Sequence, residues 1–403
     1  MKIKINHNPY ELELNQLMVI GKRSRNPKRN FLFISKVLGK HLEVRPDVCR
    51  VVGYLLASLK YGQTKQTDAF IHYINEPTLD TKMIREAMNV FYEPHERVAV
   101  LGFAETATGL GMAVASAIKG SYYLHTTREA ITQYESLLQF EEEHSHATTH
   151  RCYPMDQEQL KTMDRLILVD DELTTGKSLL NMIEALIHVI PIRKFTALSI
   201  LDWRTEEHRQ LVREFCETFE VEIEIQALLC GEVMIEDETM YEDEQPEIIN
   251  QKQSTQQLQL INRLGCETSQ GVVNYYAASG RFGVSQVAII ELEQICQQLA
   301  SEIQMRIGEA KKILVLGHGE DIYLPSRVAS YLEGDVFYKS TTRSPIYCEE
   351  DGIMKKKHLF YDGEVPYYFY NKDEIEATYD QVIWITEREL NIQLTKQSLN
   401  VCL

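Results

Sequence analysis

The chain has 403 residues, enough for two or three domains with their own cores. Its 44% hydrophobic and 25% charged content is that of a folded soluble chain, and no apolar run reaches 18 residues, so no membrane span is expected. The formal charge of −17 argues against general nucleic-acid binding, whose footprint is basic.

The opening MKIKINHNPYELEL alternates weakly, which predicts a strand or hairpin, and it lacks the apolar stretch of a secretion signal. The eight cysteines are scattered without a Cys-x-x-Cys pair. They read as reduced thiols of a cytoplasmic protein, not as a zinc site or disulfide framework. Next, GKRSRNPKRN puts Lys22, Arg23, Arg25, Lys28 and Arg29 in one loop. In so acidic a chain, that cluster suits an anionic substrate or phosphate, or acidic neighbours on the surface. Residues 46–92 carry helical spacing, with Val52, Leu55, Leu56 and Leu59, then Ile84, Met88 and Phe91.

From residue 97 the pattern alternates. RVAVLGF is a strand ending near Gly102, GLGMAVASAIKG a helix closed by Gly120, and SYYLHTT a strand. A polar stretch over 128–163 is too long for a tight connection. DRLILVDD, SLLNMIEALIHVI and KFTALSILDW then read as strand, helix and strand. This alternation predicts a parallel sheet with crossover helices. Residues 234–258 are acidic and Gln-rich and read as an exposed linker. A second α/β region follows. The expected organisation is an N-terminal extension over 1–92 packed on a core over 93–232, a linker over 233–260 and a second, smaller domain over 261–403.

The chemistry concentrates in LILVDDELTTGKS. In a parallel sheet, ligands collect at the C-terminal ends of the strands. Asp170 and Asp171 stand there, and two carboxylates suit vicinal hydroxyls or a divalent cation. Thr174, Thr175, Gly176, Lys177 and Ser178 then form a turn at a helix start, where free N–H groups and the helix dipole favour a phosphate. The pair asks for a sugar diol and a monophosphate. A Walker A loop fits less well, because it needs a glycine where Asp171 stands. An ordinary capped strand-loop-helix is the plain alternative.

This stretch resembles the phosphoribosyl pyrophosphate (PRPP) motif of type I phosphoribosyltransferases of the orotate-like kind. The resemblance implies a Rossmann-like α/β core, PRPP with Mg2+ as ligands, and a homodimer. It implies that Asp170 and Asp171 hold the ribose hydroxyls and the metal, and that Thr174 to Ser178 hold the 5-phosphate. The loop after the first core strand, GFAETATGLG, would bind pyrophosphate through Gly102, Glu105, Thr106, Thr108 and Gly109. Glu105 departs from a plain phosphate loop, since its carboxylate repels pyrophosphate unless magnesium or a substrate amine intervenes. The 128–163 segment takes the place of the family's hood, with His144, His146 and His150 as loop histidines closing over pyrophosphate, or as part of a solvated acidic loop. Arg128, at a strand end, is a cation for the pyrophosphate.

VAVLGFAETATGLGMAVASAIKGSYYLHTTR (98–128) and ILVLGHGEDIYLPSRVASYLEGDVFYKSTTR (313–343) share Leu-Gly, a glutamate three residues on (Glu105, Glu320), Val-Ala-Ser and Thr-Thr-Arg. The second region is therefore expected to repeat part of the core without a second clamp. Its Thr342-Arg343-Ser344-Pro345 resembles the TRSP domain that follows a phosphoribosyltransferase domain in bacterial tellurite-resistance (stress) biosynthetic operons. This implies a role in ribonucleoside or nucleotide-like biosynthesis. His318, Glu320, Arg327, Arg343 and Ser344 are expected to line a second polar site for a small-molecule acceptor. The expected reaction is a PRPP-dependent transfer of ribose 5-phosphate. The alternatives are a non-catalytic PRPP or nucleotide sensor, and a ribosyl hydrolase or phosphorylase.

Overall fold

The computed structural model describes residues 2–23, 30–77, 81–141, 149–234, 241–242, 245–269 and 271–403. Its strands are the apolar runs read above. Val98–Gly102 is buried along its whole length and lies between Tyr122–His125 and Arg165–Leu173. Lys194–Asp202 and Glu222–Met234 extend the sheet beyond Arg165–Leu173, and all five strands are parallel. Antiparallel strands close both edges: Lys2–His7 beside Glu222–Met234, and Val284–Ser285 beside Tyr122–His125. Continuous apolar runs belong in such a sheet because helices cover its faces. Val48–Tyr61 and Ala107–Ala117 pack against each other and into the same core.

The second region builds the same architecture again. Asp335–Thr341, Lys312–His318, Gln381–Thr386, Ser398–Cys402 and Thr255–Gln257 form, in that order and among the described residues, a five-stranded parallel sheet. In the first sheet the matching order is Tyr122–His125, Val98–Gly102, Arg165–Leu173, Lys194–Asp202 and Glu222–Met234. The stretch read as an exposed linker contributes to this second region. Thr255–Gln257 pairs with Ser398–Cys402, and Glu247–Ile248 pairs with Lys357–Asp362. Polar side chains on edge strands leave no apolar periodicity to read.

One hydrophobic core runs through both regions, joining Leu110 and Met112 to Ile322 and Leu299. Gly109 permits this approach, because a Cβ there would stand 2.6 Å from Ile322. Charges are buried beside the seam. Arg327 is fully buried, with Nη1 2.5 Å from Asp47 and Nε 2.9 Å from Glu293, and Arg50 lies 3.5 Å from Glu293. Arg327, expected in an acceptor site, is thus a structural cation. Among the described residues, no helix is long and apolar enough to cross a membrane.

Candidate functional site

Asp170 and Asp171 sit half-buried near the C-terminal end of Arg165–Leu173, and the Asp171 N–H donates to Asp170 Oδ1 at 2.9 Å. The strand does not stop at the pair but runs on through Glu172 and Leu173, paired with Leu201 and Asp202. The turn follows. Gly176 has φ 78°, the left-handed region where a side chain is strained, and it caps the helix Lys177–Ile187. Thr175 Oγ1 accepts from the Lys177 N–H at 3.3 Å, while Thr174 and Ser178 are half-buried and Lys177 is exposed. A Cβ on Gly176 would lie 3.1 Å from Arg204, which forms a buried 2.8 Å ion pair with Asp202. Sequence reasoning missed this support. Its signal, an Asp-x-Arg closing the strand after the clamp, is common in strand ends.

Val98–Gly102 neighbours the clamp strand in parallel, so the loop after Gly102 opens on the same sheet edge. The Ala104–Glu105 peptide in this loop is cis. Glu105 is 3% exposed, and Lys40 Nζ lies 3.1 Å from its Oε2 and donates to Thr106 Oγ1 at 2.7 Å. Burial would raise the Glu105 pKa, but Lys40, Arg128 and Arg343 together hold it below the usual carboxylate range. Lys40 is the cation that the sequence reading did not supply for Glu105, although it lies in the segment next to the basic run. Thr108 and Gly109, expected to meet phosphate, are occupied elsewhere. Thr108 Oγ1 donates to the carbonyl of Glu320 at 2.8 Å, and Gly109 sits in a buried helix against Ile322. Thr106 and Arg128 remain half-buried on this edge.

Glu320 comes from the second region and joins the same cluster. Its carboxylate accepts from Thr127 Oγ1 at 2.6 Å and from the Arg128 N–H at 2.7 Å, and it pairs with Arg281 at 3.3 Å. Burial opposes its charge, but Arg281 foremost, then His125, Arg343 and the Arg128 N–H, bring its pKa to about 2. Arg343 donates through Nη2 to Tyr367 Oη at 2.8 Å and stands 3.7 Å from Glu129. The Ser344 N–H donates to Thr342 Oγ1 at 3.1 Å. His318 is held between Thr341 Oγ1 at 2.8 Å and Asp362 at 3.2 Å.

His150, grouped with the loop histidines, is fully buried in a hairpin of Leu138–Glu141 and Thr149–Cys152, with Nδ1 3.0 Å from Thr126 Oγ1 and its ring stacked on Phe140. His144, His146, Arg25, Lys28 and Arg29 lie outside the described residues. Among the described residues, no group of three or more His, Cys, Asp or Glu forms a metal cage. The adjacent carboxylates of Asp170 and Asp171 fit the donor set of magnesium, which takes one or two carboxylates and fills its sphere with water and phosphate oxygens.

Residues 17–232 match the family model described as phosphoribosyl transferase. The chain belongs to that family. Residues 278–401 match the TRSP domain, described as lying C-terminal to this phosphoribosyl transferase domain. No curated protein matches the sequence. Solved structures similar to the chain include three adenine phosphoribosyltransferases. That of Trypanosoma brucei, with AMP, pyrophosphate and ribose 5-phosphate, is 14% identical, with 52% of this chain and 75% of that one covered and a TM-score of 0.32. That of Leishmania donovani is 12% identical, over 57% and 87%, at 0.30. That of Saccharomyces cerevisiae, with adenine and an imino-sugar bisphosphate, is 10% identical, over 54% and 98%, at 0.29. For the phosphoribosyl transferase and TRSP domains, the family matches carry the assignment.

Proposed function

We propose that this chain transfers ribose 5-phosphate between PRPP and a nitrogenous base or base-like acceptor, in either direction. One observation carries the reading. A diacid at the end of a parallel strand runs into a glycine turn at a helix N-terminus, beside the loop of the neighbouring strand. In this reading Asp170 and Asp171 orient the ribose hydroxyls, and the N–H groups and hydroxyls of Thr174 to Ser178 hold the 5-phosphate. The bond from C1 to diphosphate breaks and a bond from C1 to nitrogen forms. Arg128 and Thr106 stand beside the departing diphosphate, with Lys40 offsetting the charge of Glu105. Magnesium, held by Asp170 and Asp171 with the ligand, would neutralise further diphosphate charge.

The test is a thermal shift with PRPP and magnesium. Wild type is expected to be stabilised, because a ligand that binds only the folded state raises its stability. Asp170→Asn combined with Asp171→Asn is expected to abolish the rise, and an unchanged response in that variant would remove the clamp from the site. Diphosphate release on adding candidate bases separates transfer from binding alone, and release without a base marks a hydrolase.

A further inference from the structure

The two halves correspond residue by residue well beyond their sheets. Thr127 and Thr342 lie just beyond matching strands, and each exchanges two backbone hydrogen bonds with the hairpin that follows, at Arg151 and Tyr368. The hydroxyls of Tyr153 and Tyr370 accept from the N–H groups of Ile131 and Ile346 at 3.2 and 2.7 Å. The arms are exchanged. In the N-terminal arm, the Gly39 carbonyl accepts from the Ser340 N–H and Val44 bridges Tyr338, both in the second half. In the other arm, the Gly280 carbonyl accepts from the His125 N–H and Val284 pairs with Tyr123, both in the first half. The residue after each glycine is a buried cation that returns to its own half's glutamate. Lys40 lies 3.1 Å from Glu105, and Arg281 lies 3.3 Å from Glu320. This is the geometry of a two-fold dimer with exchanged arms, contained in one chain.

The correspondence fails in two places. Where the first half carries Asp170-Asp171, the second carries Thr386-Glu387, and Glu387 is consumed by Arg281 at 3.1 Å and the Tyr276 N–H at 3.0 Å. Arg388 follows in place of a glycine turn and binds Glu129 at 2.7 Å and Asp362 at 2.9 Å. The ribose clamp is therefore not duplicated. The second failure is at the glutamates. Glu320 crosses to Thr127 Oγ1 and the Arg128 N–H of the first half. Among the described residues, Glu105 makes no matching bonds to Thr342 and Arg343, and its carboxylate is met by Lys40 of its own half at 3.1 Å. The clampless half thus binds the hydroxyl and main chain of the clamped half's Thr-Thr-Arg through Glu320, whereas the first half meets Arg343 through the looser 3.7 Å ion pair of Glu129.

We infer that the second half is a clampless phosphoribosyltransferase-like copy acting as the built-in partner of the first, with Glu320 as a positioning residue that fixes Thr127 and the Arg128 main chain beside the ligand's diphosphate. The inference rests on the PRPP reading above. Glu320 suits this task because Arg281 compensates its charge, and it binds Arg128 through the backbone.

The experiment is isothermal titration of the full chain with ribose 5-phosphate and, separately, with magnesium diphosphate. Wild type is expected to bind one ribose 5-phosphate per chain. Glu320→Ala is expected to weaken magnesium diphosphate by about tenfold, as for loss of a hydrogen bond to a charged group, with ribose 5-phosphate changed by less than about twofold. Glu320→Gln keeps an acceptor for the Arg128 N–H and is expected to restore much of the loss. Thr127→Val keeps the Glu320 side chain and its bond from the Arg128 N–H, and is expected to weaken diphosphate by about threefold. Two ribose 5-phosphates per chain would overturn the inference, as would unchanged diphosphate affinity in both Glu320→Ala and Thr127→Val. Parallel weakening of both ligands in these variants would reduce Glu320 to a structural residue and overturn it too. No ribose 5-phosphate binding by wild type is a different failure: it removes the PRPP reading itself.

Discussion

The two halves share a strand order and a Glu-loop but treat polar groups at the sheet edge in opposite ways. In the first half, Asp170, Asp171, Thr174 and Thr175 remain half-buried at a strand end. In the second, the same edge is knitted shut: Glu387 on Arg281, Arg388 on Asp362, and Asp362 on His318. A buried polar network satisfied from within rigidifies a fold, whereas a half-buried edge with convergent polar groups suits a ligand. On the proposed reading, one architecture serves as a binding edge or as a support, and the deciding residues are few.

The most severe way to break the comparison is to break the seam. Arg327→Leu removes a fully buried cation, takes from Asp47 its 2.5 Å partner and leaves Glu293 with Arg50 at 3.5 Å. Truncating one partner of such a cluster costs about 3–5 kcal/mol, so the urea midpoint is expected to fall sharply while both halves still unfold in one transition. A second transition appearing in wild type would show two independent halves. A smaller effect follows from acid. Glu293 is brought to about 2, burial being overcome by Arg327 and Arg50, and Glu320 also stands at about 2. Both values lie below the unfolded pKa of about 4.3, so their stabilisation is complete above that pH and is lost as pH falls toward 2. Asp321, whose pKa is raised by burial and by Glu387, contributes with the opposite sign. Urea midpoints from pH 6 to pH 3 are expected to decline below about 4.5. A flat profile would mean that the glutamates are not held as described.

The strand, diacid, turn and helix of the proposed clamp were legible in the sequence because their order is local, one following another without a gap. The sequence also showed the Glu-loop twice, since 98–128 and 313–343 align through Leu-Gly and Thr-Thr-Arg. The rest of the duplication was hidden. Gly39 and Gly280 match by packing on equivalent tyrosines, with φ of 69° and 83°, but the residues around them do not resemble each other. The partner of Glu105 was hidden for the same reason. Lys40 meets it only because the N-terminal arm crosses the seam, a long-range contact with no periodicity behind it. Thr108 and Gly109, read as phosphate ligands, meet Glu320 and Ile322 instead, contacts from the second half that no local pattern announces.

The finest test places one substitution in both halves. Thr127 and Thr342 occupy matching positions, and each hydroxyl accepts a backbone N–H two residues on, from Glu129 and Ser344, both at 3.1 Å. Among the described residues, only Thr127 also donates across the seam, to Glu320 at 2.6 Å. Valine keeps the shape and removes the hydroxyl. Each variant loses the local bond, so each is expected to cost about 0.5–1.5 kcal/mol in urea unfolding. Ligand binding should separate them: Thr127→Val weakens magnesium diphosphate, while Thr342→Val leaves it at the wild-type value. Equal weakening in both would mean that the halves contribute alike to the diphosphate site, and the asymmetry drawn from Glu320 and Glu105 would have no functional weight.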